Sequence, residues 1–376
     1  MKITQFCQLY PPAIYGGGEY LFFQYAKELA KRGHEVNVIT QRLKGTKCYE
    51  ELNGVKIHRV GKPIDYKGHL NMSLMNNASF IIKSFKKGLK IAKDSDIIHS
   101  NTYAPALSGH AVSYCLKIPH VISIFDVYSQ GSFWNNWSGQ RGVSKGLSII
   151  GPLMEKIILK IRPAMIHTIS NASKEDLIKA GVKRPIRVVP CMIDLTDYKT
   201  PRTEEKNQFC YVGRHVFYKN VDTIIKAMPS VLGKNPKTKF IIVGDGPMKK
   251  QWMALARRLG VSSSVLFTGR VSHEHKLRII NESKFVVNPS TVEGFGIIIL
   301  ESWALGKPVI ASNVRPMNEL INKENGDLAE PYKSIDWANK INKMLKENKQ
   351  GIKKYAKQYS TKKVTPLLEN IFKTLI

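Results

Sequence analysis

Short β-rich apolar runs alternate with amphipathic helical stretches along the whole chain. This alternation favours α/β layers built on parallel sheets, because each helix returns the chain to the start of the next strand. In the first half the predicted strands are 3–9, 36–40, 97–100 and 121–125, and the predicted helices are 20–32, 75–93 and 107–116. A second series has predicted strands at 209–212, 240–243, 265–268, 285–288 and 309–311, with helices at 221–231, 248–259, 273–281 and 297–305.

A chain of 376 residues is long for one domain, and two of ordinary size are expected. We predict an N-terminal Rossmann-like domain over residues 1–195 and a C-terminal one over residues 196–352. The last helical stretch, 351–372, is expected to pack back on the first domain, so residues 353–376 form a third segment. Two doubly wound domains of this kind face each other across a cleft at the carboxyl ends of their strands.

Composition narrows the class of protein. Hydrophobic residues make up 43% and charged residues 23%, which is typical of a folded globular protein. The five cysteines form no CxxC pair and no ligand-like spacing, which favours reduced thiols and a cytoplasmic location. No apolar run is long enough for a signal peptide or a membrane span.

The formal net charge of +29 is spread over both halves of the chain. Such a charge indicates an anionic partner: nucleic acid, an anionic membrane or a phosphorylated ligand. No nucleic-acid-binding motif is present, so we expect no nucleic-acid partner.

The most informative local pattern lies between residues 288 and 310. A loop containing Gly294, Phe295 and Gly296 opens a short helix that is apolar on nearly every side yet carries Glu301. A buried carboxylate without a partner is costly, and the NH groups of a helix start attract phosphate. With Glu293 just before that start, the pattern suggests a diphosphate ligand with a hydroxyl-bearing sugar on either side. The alternative pairs Glu301 with an internal Lys or Arg.

Two further loops follow predicted strands. Arg214 and Lys219 come just after the strand at 209–212, where two cations suit a diphosphate; solvated loop cations are the alternative. Gly16, Gly17 and Gly18 lie between the first strand and its helix, where the backbone can approach an anion. They lack the GxGxxG spacing of dinucleotide binders, and a tight turn is the alternative.

Other patterns are weaker. The Gly-Asp-Gly turn at 244–246 is expected to be structural. Asp94 and Asp96 resemble a metal-binding DxD motif, but they lie at a helix-to-strand boundary, so we predict a structural role and no metal site. His99 and Asp126 lie at or after the ends of predicted strands, where catalytic groups often occur, although a lone histidine there is more often structural.

Taken together, these residues resemble the retaining, GT-B-type nucleotide-sugar glycosyltransferases of group 1 (family four), almost from end to end. No single motif is specific, but their order and spacing are. The matching motifs are PP…GGG-E at 11–19, DIIHS at 96–100, TISNASKEDL at 168–177, VVP…D at 188–194, VGR…K at 212–219, VGDGP at 243–247, FTGRVS at 267–272 and NPS..EGFG…E…GKPVIAS at 288–312.

The resemblance implies roles for these residues. Arg214 and Lys219 would grip the donor diphosphate, and Glu293 would contact the donor sugar. The backbone of Gly294, Phe295 and Gly296 would lie against sugar and phosphate, Glu301 would hold the ribose hydroxyls, and Gly16, Gly17 and Gly18 would close over the phosphates. It also implies no metal and no cofactor, because the nucleotide sugar is a substrate.

One departure from the family pattern bears on catalysis. The family commonly has a histidine where this chain has Phe125, while the following Asp126 remains. A phenyl ring donates no hydrogen bond to a sugar hydroxyl or to the leaving diphosphate. Asp126 or a backbone NH therefore takes over part of that role, or turnover is reduced. The chain also departs at Cys191 and in the loop 313–316. The second departure alters the loop after the donor site and so puts sugar specificity in doubt.

The expected reaction transfers a hexosyl group from a UDP- or GDP-linked donor to a hydroxyl of a lipid-linked or glycan acceptor, with retention. The alternatives are an epimerase or hydrolase of the same fold, or a catalytically weak protein that binds anionic glycolipid. Basic, amphipathic stretches at 79–93 and at 133–137 with 146–161 suggest a peripheral site on the inner face of a membrane. The alternative is that both stretches pack on the first sheet.

Overall fold

The computed structural model describes residues 1–12, 16–65, 74–128, 147–199 and 203–376. Contacts divide them into two units. Unit 1 consists of Met1–Met192 with Thr361–Ile376, and unit 2 consists of Ile193–Ser360. The boundaries expected from the sequence, after residues 195 and 352, differ from these, most clearly at the second one.

Unit 1 is built on one eight-stranded sheet with the order β3-β4-β2-β1-β5-β6-β7-β8. Its strands are β1 (Lys2–Phe6), β2 (Glu35–Leu43), β3 (Tyr49–Leu52), β4 (Val55–Ile64), β5 (Ile97–Asn101), β6 (His120–Ser123), β7 (Met165–Thr168) and β8 (Ile186–Val188). Neighbouring strands pair in parallel apart from β3, which runs antiparallel to β4. The chain order reverses between β1 and β5, as in a doubly wound sheet.

The β3–β4 hairpin is absent from the sequence prediction, although the sequence carries its signal. Asn53 and Gly54 both have positive φ, 54° and 77°, and Leu52 pairs with Val55 across a two-residue loop. An Asn-Gly pair between apolar residues is the strongest short-range indication of such a hairpin.

The described helices of unit 1 that precede unit 2 in the chain are α1 (Gly17–Lys31), α2 (Leu74–Ile91), α3 (Ala104–Leu116), α4 (Leu147–Lys160) and α5 (Asn171–Lys179). Helix α1 buries Phe22, Tyr25 and Leu29, which lie on one face at helical spacing. Together with apolar residues of the strands, such faces form the core of unit 1.

Unit 2 is built on a six-stranded parallel sheet. Its strands are β9 (Gln208–Val212), β10 (Lys239–Val243), β11 (Val265–Gly269), β12 (Val286–Asn288), β13 (Val309–Ser312) and β14 (Gly326–Ala329). Its helices are α6 (Val221–Lys234), α7 (Lys249–Arg258), α8 (His273–Glu282), α9 (Ile297–Ala304), α10 (Met317–Leu320), α11 (Ser334–Met344) and α12 (Lys353–Gln358), with short 3-10 helices at Leu195–Tyr198 and Phe217–Lys219.

The strand order of unit 2, β11-β10-β9-β12-β13-β14, corresponds to 3-2-1-4-5-6 when its strands are counted from β9. This is the order of a dinucleotide-binding sheet. Phe209, Phe240 and Phe285 stack in its core with ring centroids 4.8 and 5.1 Å apart. The predicted fold class, two doubly wound α/β sheets, is confirmed.

The single helix expected over 351–372 is instead two helices. Helix α12 stays in unit 2, where Tyr355 packs on Trp303 with ring centroids 5.5 Å apart. Helix α13 (Thr361–Lys373) belongs to unit 1, where Glu369 accepts a hydrogen bond of 2.6 Å from Arg32. The break falls where Ile193 donates its backbone NH to Tyr359, because there the chain returns from unit 2 to unit 1.

Candidate active site

The switch point of the unit 2 sheet lies between β9 and β12. Ligands of doubly wound sheets bind at the carboxyl ends of the strands, where the strand order reverses. The loop after β9 carries Arg214 and Lys219, and the loop after β12 carries Glu293. Three of the predicted site residues therefore meet at this point for a topological reason.

The loop after β9 is held by Tyr218. The Arg214 guanidinium donates to the Tyr218 hydroxyl at 2.8 Å, and the Tyr218 carbonyl accepts from the backbone NH of Thr291 at 2.8 Å. The two loops are thus tied together by backbone as well as side chain, which fixes Arg214 and Lys219 relative to Glu293.

Lys219 and Glu293 form a direct ion pair in this structure. Each side chain keeps only 14% of its surface exposed, and the Ser290 hydroxyl lies 3.0 Å from the same Glu293 oxygen. A pair so shielded is screened less than one in solvent. The alternative considered from the sequence, that Arg214 and Lys219 are solvated loop cations, is therefore wrong for Lys219.

Helix α9 begins immediately after this loop. Gly296 precedes its first residue with φ of 91°, a conformation that favours glycine. No side chain caps the helix start, which follows directly on the loop that carries Glu293. The ring of Phe295 packs on Tyr359 with centroids 5.5 Å apart, so its backbone is the part open to a ligand role.

Glu301 lies on α9 and is 8% exposed. It accepts a hydrogen bond of 2.9 Å from the Tyr198 hydroxyl and one of 2.8 Å from the Lys276 ammonium. The internal cation considered from the sequence is therefore present, and Tyr198 joins it. Neither partner was identified from the sequence.

The Gly-Asp-Gly turn after β10 packs directly under the Arg214 loop. A side chain on Gly244, whose φ is 124°, would come within 2.0 Å of the Gly213 carbonyl. His215 is buried beside this turn, and its backbone NH donates to Asp245 at 2.9 Å. Burial lowers the pKa of His215 to about 4. These contacts agree with the structural role predicted for the turn.

In unit 1 the glycine loop also lies at a switch point, after β1 and beside β5. Gly16 precedes α1, with extended backbone and no side-chain cap. A Cβ on Gly18 would lie 3.6 Å from the Phe125 ring. Phe125 thus packs directly against this loop. Asp126 follows and accepts from the Tyr128 hydroxyl at 3.0 Å.

His99 is part of a buried hydrogen-bond chain that crosses the unit 1 sheet. His167 Nε2 lies 3.1 Å from the Val189 carbonyl, and its Nδ1 lies 2.7 Å from the Ser123 hydroxyl. Ser123 is 2.8 Å from His99 Nε2, and Gln5 is 3.2 Å from His99 Nδ1. Both ring nitrogens of each histidine have a partner with the two rings neutral, which indicates a structural role for His99.

The remaining predictions for unit 1 divide into described and undescribed residues. Asp96 accepts the backbone NH of Lys2 at 2.7 Å, as a residue at a helix-to-strand boundary would. Among the described residues, no three His, Cys, Asp or Glu side chains converge as metal ligands. The aromatic stretch 133–137 lies outside the described residues.

The two basic amphipathic helices expose part of their apolar surface. On α2, Ile82 is 56% exposed. On α4, Leu153 and Ile157 are 56% and 42% exposed, and Lys156 and Lys160 lie on the same face. Within the described part of the chain, no helix has the length and apolar character needed to cross a bilayer.

Two family models match the chain. The model described as "Glycosyl transferases group 1" matches residues 193–363, which are nearly all in unit 2. The model described as "Glycosyltransferase Family 4" matches residues 15–197, which are nearly all in unit 1. The two matches meet at the boundary between the units.

Individual relatives agree with these models. An uncharacterized glycosyltransferase of Methanocaldococcus jannaschii is 28% identical over 351 residues, covering 90% of this chain and 87% of that protein. The alpha-monoglucosyldiacylglycerol synthase of Streptococcus pneumoniae is 26% identical over 346 residues, covering 86% of this chain and 73% of the synthase. Anabaena HepE, solved in complex with UDP-glucose, has the same fold, with a TM-score of 0.75, 20% identity and full coverage of both chains.

The two models together match the chain from residue 15 to residue 363, and both units are doubly wound α/β sheets, as expected for the GT-B fold. The chain therefore belongs to the group 1, family 4 glycosyltransferases of the GT-B fold.

Proposed function

We propose that this glycosyltransferase moves a hexosyl group from a UDP- or GDP-linked sugar to a hydroxyl of a lipid-linked or glycan acceptor, with retention of anomeric configuration and without a metal. The observation that carries the proposal is the convergence of Arg214, Lys219 and Glu293 at the switch point of the unit 2 sheet, beside the start of α9.

The chemistry of this cluster suits a donor diphosphate. When the bond between sugar C1 and the diphosphate oxygen breaks, negative charge grows on the leaving group. Arg214, Lys219 and the α9 NH groups are preorganised to stabilise that charge. Lys219 is held by Glu293 until a ligand arrives, so a diphosphate would share this ammonium with the carboxylate.

Transfer then needs an acceptor hydroxyl on the same face of the sugar. Its oxygen forms the new bond to C1, and its proton passes to the departing diphosphate oxygen. Glu293, placed between the cations and the start of α9, is the residue that would contact the sugar hydroxyls. Asp126 would contribute from unit 1, where Phe125 replaces the family histidine.

Two relatives support the substrate class. HepE was solved with UDP-glucose bound, and the pneumococcal synthase is named for a glucosyl diacylglycerol product. The net charge of +29 and the exposed apolar residues of α2 and α4 support an acceptor at an anionic lipid surface on the cytoplasmic side. Basic residues near such a surface contribute about 1 kcal/mol each.

The donor proposal is tested by calorimetry with a panel of UDP- and GDP-sugars on the wild type and on Arg214→Met and Glu293→Gln. One nucleotide sugar is expected to bind the wild type and to raise its melting temperature by mass action. Arg214→Met is expected to weaken binding about tenfold to a hundredfold, as loss of a charge-assisted hydrogen bond does.

Lys226→Met is the matched control, because Lys226 also pairs with an acid in unit 2 but is half exposed on α6. Absence of binding to every donor, or unchanged binding by Arg214→Met and Glu293→Gln, would contradict the site. Release of free sugar without an acceptor would instead indicate a hydrolase, and NMR of a transfer product would establish its anomeric configuration.

The membrane proposal is tested by sedimentation with phosphatidylglycerol vesicles at low salt. Replacing Leu153 and Ile157 together by Ser is expected to weaken binding, whereas Ile178→Ser, which alters another exposed apolar residue of unit 1, is expected not to. Failure of the wild type to bind would remove the membrane from the proposal and leave the donor site untouched.

A further inference from the structure

We propose that Tyr198 and Lys276 are positioning residues that hold the Glu301 carboxylate so that its Oε2 meets the ribose hydroxyls of the donor. This role deepens the proposed function and depends on it, because it presupposes a nucleotide at unit 2. Both residues lie in unit 2, as does Glu301.

The geometry at Glu301 is one-sided. Tyr198 and Lys276 both donate to the same oxygen, Oε1, at 2.9 and 2.8 Å. Oε2 accepts no hydrogen bond from the described residues, and it is not among the buried side-chain atoms that lack a partner, so it retains access to solvent. A carboxylate has about four acceptor positions, so those on Oε2 remain for a ligand that donates.

Tyr198 is well placed to orient the carboxylate. It ends the 3-10 helix Leu195–Tyr198, whose start is capped by the Asp194 side chain, and it is almost fully buried. Its ring packs edge-on against His273 with centroids 6.0 Å apart. A hydroxyl on a ring held this way fixes the direction of the bond that Glu301 accepts.

Lys276 supplies the charge that a buried carboxylate needs. It lies in the first turns of α8, which is capped by Ser272, and it reaches across to α9. The ammonium on Oε1 gives the Glu301 carboxylate a cationic partner on an otherwise apolar helix. An ionised carboxylate accepts both hydroxyls of a diol such as ribose, whereas a protonated one would lose an acceptor position.

A purely structural role makes a different prediction. If Tyr198 and Lys276 only stabilise a buried acid, their removal lowers the melting temperature but leaves the preference for ribose unchanged. If they position Glu301, removing either one reduces the preference for a nucleotide with ribose hydroxyls over one that lacks them.

The experiment compares UDP with 2′,3′-dideoxy-UDP, and GDP with its dideoxy form, by calorimetry. The wild type is expected to favour the ribose form of its preferred nucleotide about tenfold to a hundredfold, the effect of hydrogen bonds to a charged group. In Tyr198→Phe, Lys276→Met and Glu301→Gln the ratio is expected to fall to about threefold or less, with affinity for the dideoxy form nearly unchanged.

The controls remove the same groups elsewhere. Tyr49→Phe deletes a hydroxyl that donates to Glu51, and Lys206→Met deletes an ammonium 2.8 Å from Glu282. Both are expected to keep the wild-type ratio. If the wild type binds neither nucleotide, the proposed function fails. If it prefers ribose and Tyr198→Phe and Lys276→Met keep that preference, the positioning role alone is overturned.

Discussion

Mild acid is expected to destabilise unit 1 far more than its surface charge suggests. Two fully buried histidines of its sheet are held in the neutral form. Burial lowers the pKa of His167 to about 4. Burial, and to a lesser extent the neighbouring His110, lowers the pKa of His120 to about 3.

The hydrogen bonds of His167 leave no place for a second proton on its ring. A neutral His167 donates from Nε2 to the Val189 carbonyl and accepts from Ser123 on Nδ1. A second ring proton would point at Ser123, which must then turn away from His167. Protonation of His99 would oppose the amide of Gln5 in the same way.

The direction and the magnitude of the change in unfolding free energy with pH follow from these pKa values. Both folded values lie below the unfolded value of 6.5, so the unfolded chain binds more protons below about pH 6.5. The stabilisation is present above that pH and is lost as the pH falls towards about 4 for His167 and about 3 for His120. When the pH falls from about 7 to about 5, each histidine lowers the unfolding free energy of unit 1 by about 2 kcal/mol. The combined loss of about 4 kcal/mol is large beside the roughly 5–15 kcal/mol that stabilise a domain.

Hydrogen exchange read by mass spectrometry measures this loss separately for peptides of each unit. His167→Gln keeps a donor and an acceptor without titrating, so the pH dependence of unit 1 is expected to shrink by about 2 kcal/mol. His275→Gln, an exposed histidine of unit 2, is the control. A change in unit 1 below about 1 kcal/mol, or an unaltered slope in His167→Gln, would refute the reasoning.

Three further predictions concern the site and its supports. Lys219→Met is expected to lower the unfolding free energy of unit 2 by about 2 kcal/mol, because it leaves the Glu293 carboxylate without its cationic partner. Adding Glu293→Gln is expected to restore much of this stability but not donor binding. Additive effects of the two substitutions on stability would contradict the ion pair. Glu369→Gln is expected to destabilise unit 1 by about 1–3 kcal/mol, measured by urea unfolding. Lys373 and Arg32 lower the pKa of the Glu369 carboxyl to about 2, so the stability difference between wild type and variant is expected to vanish as the pH falls towards that value. Gly244→Ala is expected to cost about 2 kcal/mol or more and to weaken donor binding, since its Cβ would meet the Gly213 carbonyl at 2.0 Å; a wild-type melting temperature would show that the loop yields.

The regular part of the fold could be predicted from local pattern. Each strand of unit 2 from β9 to β13 overlaps a predicted strand, because buried parallel strands are continuous apolar runs. The placement of Arg214, Lys219 and Glu293 near the same edge of the sheet also followed from the sequence, since all three lie in loops that follow strands. The β3–β4 hairpin was missed although Asn53-Gly54 indicated it.

The partners of Glu301 could not be predicted, for a physical reason. Tyr198 and Lys276 lie 103 and 25 positions away in sequence, and no local periodicity links them to the helix that carries the acid. The break between α12 and α13 was equally hidden. Both halves of that stretch favour helix, and only the return of the chain to the first unit interrupts them.

The discontinuous make-up of unit 1 sets a constraint on biosynthesis. Phe372, on α13, lies against the ring of His99 with centroids 5.2 Å apart. The core of unit 1 is therefore incomplete until the ribosome has made residues 361–376. Unit 2 is contiguous in sequence and does not depend on those residues. Although its residues are translated after most of unit 1, unit 2 is the first of the two able to finish folding, and part of the unit 1 core stays exposed during synthesis.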